Sequence, residues 1–147
     1  MSTTTLTPTT SRPLADKTGF WPEDILTQTE RAAETPADLL HSAAHDLNQR
    51  SGELLQAHVE EGTWGEHLVF DFVLTSPALD GYSYRLFKLR HKLSSYPAEF
   101  IFDSRVLKVR NREELEKRLR LILSDPTTRR AVSELAQYGR ERLAKAA

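Results

Sequence analysis

ELLQAHVEEGTWGEHLVFDFVLT, residues 53–75, decides the fold. In its first third Leu55, Ala57 and Val59 alternate with Gln56, His58 and Glu60; in its last third Leu68, Phe70, Phe72 and Leu74 alternate with Val69, Asp71 and Val73. A period of two puts one set of side chains on a core face and the other on the opposite face, as in a strand. Glu61-Gly62-Thr63-Trp64-Gly65 between them supplies a glycine-bearing turn, so the segment predicts a hairpin of strands 53–60 and 66–75.

The strand pattern continues downstream. Ser76-Pro77 through Asp80-Gly81 reads as a loop and Tyr82 to His91 as a third strand. Ala98 to Phe102 and Arg105 to Val109, linked by Asp103-Ser104, read as a fourth and a fifth. Helices flank this run. Upstream, Thr35 can cap, Pro36 fits a first turn, and Asp38 completes an aspartate version of the capping box, predicting a helix over 36–50 with Leu40, Ala43, Ala44 and Leu47 on one side. Downstream, Asn111 with Glu114 opens a helix to about Leu123, and Asp125-Pro126 starts another over 126–143. Gly139 inside the last helix marks either a close contact or a weak point. The order predicts an α+β fold: an antiparallel four- to five-stranded meander with one helix before it and two after it, the helices packed on one face.

The N-terminus reads differently. Residues 1–19 are rich in Ser, Thr and Pro, with scarcely any apolar side chain to offset the entropy of ordering, and predict a disordered tail. Phe20-Trp21, then Pro22, Glu23 and Asp24, predict a short helix over about 22–33 at the start of a single domain spanning 20–147. At 147 residues the chain is long enough for one proper core. It holds no cysteine, which excludes disulfides, thiolate metal sites and cysteine nucleophiles. With no apolar run near the roughly 20 residues that cross a bilayer, and no signal-peptide layout, a cytoplasmic protein without membrane contact is expected.

The net charge of −1 conceals a division. Residues 1–81 carry 4 Lys/Arg against 13 Asp/Glu, and residues 82–147 carry 16 against 8. Such halves either neutralise each other, within the chain or across a dimer, or leave a basic surface for an anionic partner.

The most distinctive segment is Arg85-Leu86-Phe87-Lys88-Leu89-Arg90-His91-Lys92. With Phe87 and Leu89 inward, unbroken alternation places Tyr84, Leu86, Lys88, Arg90 and Lys92 on the outer face of the sheet, where strand five adds Lys108 and Arg110. Cations beside an exposed ring suit a single-stranded nucleic acid, the cations following phosphates and the ring stacking on a base; Glu99, on the same face, points instead to cross-strand ion pairs. Trp64 near the hairpin tip, and Tyr82 with Tyr84, are candidate anchors for a protein interface. Arg129, Arg130, Arg140, Arg142 and Lys145 make the last helix basic.

His41 and His45, one helical turn apart, with Asp38 one turn before them, have a spacing that suits zinc. The pattern is H-S-A-A-H, however, with Ser42 where a hydrolytic site needs glutamate, so no metal site is assigned. His58 and His67 stand on the two hairpin strands and could approach each other. No phosphate loop, nucleophile elbow or calcium loop occurs, and no cofactor is expected. The leading expectation is a non-catalytic interaction protein of regulatory, accessory or inhibitor type, binding another protein or its own copy through complementary acidic and basic surfaces. The second is a nucleic-acid-binding accessory, and the third a small hydrolase or metal-dependent enzyme.

Overall fold

The computed structural model describes residues 20, 23–24, 35–52 and 54–146. The tail expected over 1–19 and, apart from Glu23 and Asp24, the helix expected over 22–33 lie outside these residues. The chain divides into two units, Met1–Ala33 and Glu34–Ala147, and every element below belongs to the second.

Helix α1 spans Pro36–Ser51. Its start is closed from both sides: the Asp38 N–H donates to Thr35 Oγ1 at 3.2 Å, and the Thr35 N–H donates to Asp38 Oδ2 at 2.9 Å. Leu40 and Ala44 are buried, and Ala43 and Leu47 lean against the same core. The side-chain amide of Asn48 then acts as a surrogate strand for the edge of the sheet, accepting from the Ala57 N–H at 2.6 Å and donating to the Ala57 carbonyl at 2.9 Å. This satisfies both backbone groups of one edge residue.

Five antiparallel strands follow: β1 (Gln56–Trp64), β2 (His67–Thr75), β3 (Ser83–His91), β4 (Ala98–Phe102) and β5 (Arg105–Val109), in the spatial order β1-β2-β3-β4-β5. β1 runs through the expected turn to Trp64, so the hairpin closes on the two residues Gly65-Glu66. Gly65 has φ +60°, the left-handed geometry that lets a two-residue loop match the twist of its strands, and the longer ladder pairs backbone groups that a longer loop would leave open. Asp103 and Ser104, both at positive φ, make the tight link between β4 and β5.

Helix α2 spans Arg112–Ser124 and α3 spans Pro126–Ala146. Asn111 Oδ1 accepts from the Glu114 N–H at 2.8 Å, while the Glu114 carboxylate takes the Arg110 N–H, one residue earlier than a capping box requires. On α2 the acid-before-base pair Glu116–Arg120 closes at 3.0 Å; Glu116 also meets Arg112 at 3.6 Å, and Glu114 turns to Arg110. One cluster joins the sheet residues Phe70, Phe72, Leu74, Phe87, Leu89 and Phe100 to Leu40 of α1, Leu115, Leu119 and Ile122 of α2, and Leu135 of α3. The fold is thus α+β, with one helix, a five-stranded antiparallel meander and two further helices. No helix among the described residues is long and apolar enough to cross a membrane.

At Gly139, α3 comes close to the chain just before β1 and just after β2. A Cβ placed there would lie 2.7 Å from Ser76 Oγ and 3.0 Å from the Leu54 carbonyl oxygen. Of the two roles open to Gly139 from sequence, the structure shows the close contact.

Candidate functional site

The pairing of β2 with β3 contains an irregularity that rearranges the expected outer face. Phe72 pairs with Phe87 but Val73 pairs with Arg85, leaving Leu86 as an extra residue. Such a bulge reverses the alternation beyond it. Tyr84, expected beside Lys88 and Arg90, pairs with Leu74 and packs against the helix-covered core. Leu86 is buried in that core, and Arg85 takes the outward position, 3.3 Å from Asp71.

What remains on the outer face is a mosaic of charges. Val69, Arg90, Glu99 and Lys108 stand in register across four strands, and Glu60, Asp71, Lys88 and Ile101 form the next row. Arg90 is committed within it: its Nε donates to Glu99 Oε1 at 2.8 Å, its guanidinium carbon lies 5.7 Å from the ring centre of Trp64, and its side chain is 26% exposed. Trp64 itself is 64% exposed. Lys92 lies just past β3, lining a shallow hollow of about 250 Å³ with Lys108 and Glu99. Arg110 lies past the end of β5 at the start of α2, 3.7 Å from Glu114. A broader groove of about 570 Å³ is lined by Glu60 and Trp64 of β1, Asp71 of β2, and Lys88 and Arg90 of β3. The basic face expected from alternation, with Glu99 on it, is therefore a surface of mixed sign to which Glu60 and Asp71 also contribute.

The histidines do not assemble. Asp38 is occupied in the cap of α1, and His41 pairs with Glu61 at 2.9 Å. His45 is exposed. His58 pairs with Glu60 at 3.1 Å, whereas His67 lies against Trp64 with ring centres 5.8 Å apart. The hairpin register sets His58 opposite Val73 and His67 opposite Trp64, at opposite ends of the ladder. Among the described residues no group of three or more His, Asp or Glu is placed to hold a metal ion.

A second surface gathers side chains that sequence reading had kept apart. The loop between β2 and β3 folds as two successive turns, the Leu79 N–H donating to the Ser76 carbonyl at 2.9 Å and the Tyr82 N–H to the Leu79 carbonyl at 2.7 Å. This places Leu79, Asp80 and Tyr82 opposite α3 across a cleft of about 610 Å³. Tyr84, turned inward by the bulge, joins Leu79, Ala131 and Leu135 in its apolar lining. Arg130, Glu134, Tyr138 and Arg142, each four residues from the next, line it from α3. Tyr82 is 50% and Tyr138 58% exposed. Arg130 and Arg142 form no ion pair with any described residue, whereas Arg129 Nε donates to the Ser124 carbonyl at 2.9 Å. Tyr82, Tyr84, Arg130 and Arg142 were singled out by type; Tyr138 and Glu134 were not, although their four-residue spacing from Arg130 and Arg142 was legible.

Tyr96 lies apart from the cleft. Its hydroxyl is buried without a hydrogen-bond partner, and burial raises its pKa above the ordinary tyrosine value, the nearby Arg112 guanidinium opposing part of the rise. A group that holds its proton more tightly when folded contributes stability that is fully present below its unfolded pKa, about 10. That contribution is lost as pH rises through the higher folded value. Tyr96→Phe is therefore expected to flatten the fall in stability above about pH 10 and to leave neutral-pH stability unchanged or up to about 1 kcal/mol higher, because the unpaired hydroxyl is gone. Urea midpoints measured from neutral to alkaline pH check this; an alkaline limb identical to that of the parent protein would contradict it.

Comparison of the chain with protein-family models, with curated protein sequences and with solved structures finds no match.

Proposed function

We propose that this chain is a non-catalytic interaction protein of regulatory, accessory or inhibitor type, binding another protein or a second copy of itself through surfaces of complementary charge. The observation that most supports this reading is the cleft between the β2–β3 loop and α3, where three tyrosines and two arginines without ion-pair partners among the described residues surround an apolar lining. Tyrosine and arginine are the side chains on which interface energy concentrates, because each combines a large contact area with a polar group. A nucleic-acid accessory role has less support. The bulge sends Tyr84 to the face opposite Lys88 and Arg90, and the outer face that keeps Trp64 beside Lys88 also carries Glu60, Asp71 and Glu99, the last paired with Arg90, so it is not the uncompensated basic surface that phosphates favour.

The test is recovery of the full chain from its native cells, followed by sedimentation and mass spectrometry of what accompanies it. A protein at defined stoichiometry, or a doubled mass, is expected. It should weaken between about 0.1 M and about 1 M salt, over which the screening length falls from about 10 Å to about 3 Å, and weaken again in Tyr138→Ala. A monomer with no stoichiometric protein, or with nucleic acid instead, would overturn the reading.

A further inference from the structure

The geometry points to one class of occupant for the cleft: an extended segment of a partner protein with an apolar or aromatic residue at its centre and a carboxylate towards each end. The inference rests on the interaction-protein reading above and adds the chemistry of the partner.

The spacing of the cations carries the argument. Arg130 and Arg142 are twelve positions apart on one helix, which at a rise of about 1.5 Å per residue separates their Cα atoms by roughly 18 Å. An extended chain rising about 3.3 Å per residue covers that span in roughly five to six residues. Both cations border the same cleft without an ion-pair partner among the described residues, so each is available to a carboxylate from outside. Between them lies Glu134, and Asp80 lines the same cleft from the β2–β3 loop; both disfavour a carboxylate at the centre of the ligand and can accept a backbone N–H instead. The centre is therefore not acidic, and the apolar lining that Tyr84 and Leu135 give the cleft favours an apolar or aromatic side chain there over a cation, which would lose its hydration against it. A single phosphate or other compact anion fits poorly, since two arginines so far apart cannot converge on one group.

The experiment is selection of a displayed random heptapeptide library on the immobilised full chain, with the Arg130→Glu/Arg142→Glu double variant as counter-selection. Both arginines are exposed, so the double variant should melt as the parent protein does. Recovered peptides are expected to share an apolar or aromatic residue with an acidic residue two or three positions to either side. Their affinity, read by fluorescence polarisation, should fall roughly tenfold or more in each single charge variant and in Tyr82→Ala. Replacing the peptide's acids by lysine should restore binding to the double variant. No enrichment on the parent over the double variant, a consensus without acids, or binding indifferent to both charges would overturn the inference. A native partner whose binding is unchanged in the double variant would overturn it too, while leaving the interaction-protein reading intact.

Discussion

Phe87→Ala is expected to lower the stability of the domain by about 3–5 kcal/mol, the range for removing a large aromatic side chain from a close-packed core. Phe87 occupies the central strand and is 2% exposed. Its ring stacks on Phe72 with centres 5.0 Å apart and 11° between planes, and meets Phe100 edge-on at 5.5 Å and 72°. Truncation therefore breaks two aromatic contacts as well as opening a cavity that three adjoining strands cannot readily close. Against a total of about 5–15 kcal/mol for a domain, the variant should be marginal at room temperature. Urea unfolding followed by tryptophan fluorescence and by circular dichroism measures the loss. A change below about 1.5 kcal/mol would mean that the sheet repacks, contrary to expectation. Phe87→Leu keeps most of the volume and should fall between the two.

The second large effect is expected at Gly139, and its sign opposes helix propensity. In an exposed helix, glycine to alanine gains about 1 kcal/mol. Here the added methyl would sit 2.7 Å from Ser76 Oγ and 3.0 Å from a backbone oxygen of Leu54, distances at which a neighbour must move. Neither neighbour is the end of a long flexible side chain. Gly139→Ala should therefore destabilise by about 1–3 kcal/mol, as overpacking does. Ser76→Ala removes the nearer contact and also a buried hydroxyl without a hydrogen-bond partner. In that background the cost of Gly139→Ala should shrink, though not vanish, because the Leu54 carbonyl remains. A double-mutant cycle measures this coupling, and additive effects would show that the two side chains do not compete for space. Since Ser76 begins the loop that bears Leu79 and Tyr82, the same substitution should also loosen the cleft and weaken any peptide it holds.

Element order was legible because each type of element announces itself locally. The alternation of residues 55–59 and 68–74 identified the hairpin strands, and Thr35 with Asp38 marked the start of α1 through a bond they do make. What was not legible depended on single residues acting at a distance. Nothing in Arg85-Leu86-Phe87 marks Leu86 as the extra residue of a bulge; all three fit an alternating strand, and only the pairing against Phe72 and Val73 separates them. From that one position followed the misplacement of Tyr84 and Leu86 on the outer face beside Lys88 and Arg90. The cleft was hidden for another reason: its residues come from a loop, a strand and a helix whose meeting is set by tertiary contacts such as that of Gly139 with Leu54 and Ser76.

The bulge at Leu86 also frees the ring of Tyr84 from the face that Lys88 and Arg90 occupy, where an uninterrupted strand would hold all three together. In a regular strand every residue shares its face with the residues two places away, so a change of chemistry on one surface is constrained by that surface along the whole length. Here the half of β3 from Phe87 to His91 presents Lys88 and Arg90 to the outer face, while the half before the extra residue presents Tyr84 to the cleft. The ring that lines the cleft can thus be exchanged without disturbing the charge pattern on the far side of the sheet. One ribbon serves two independent surfaces, and substitutions that tune what the cleft admits need not be paired with substitutions on the opposite side.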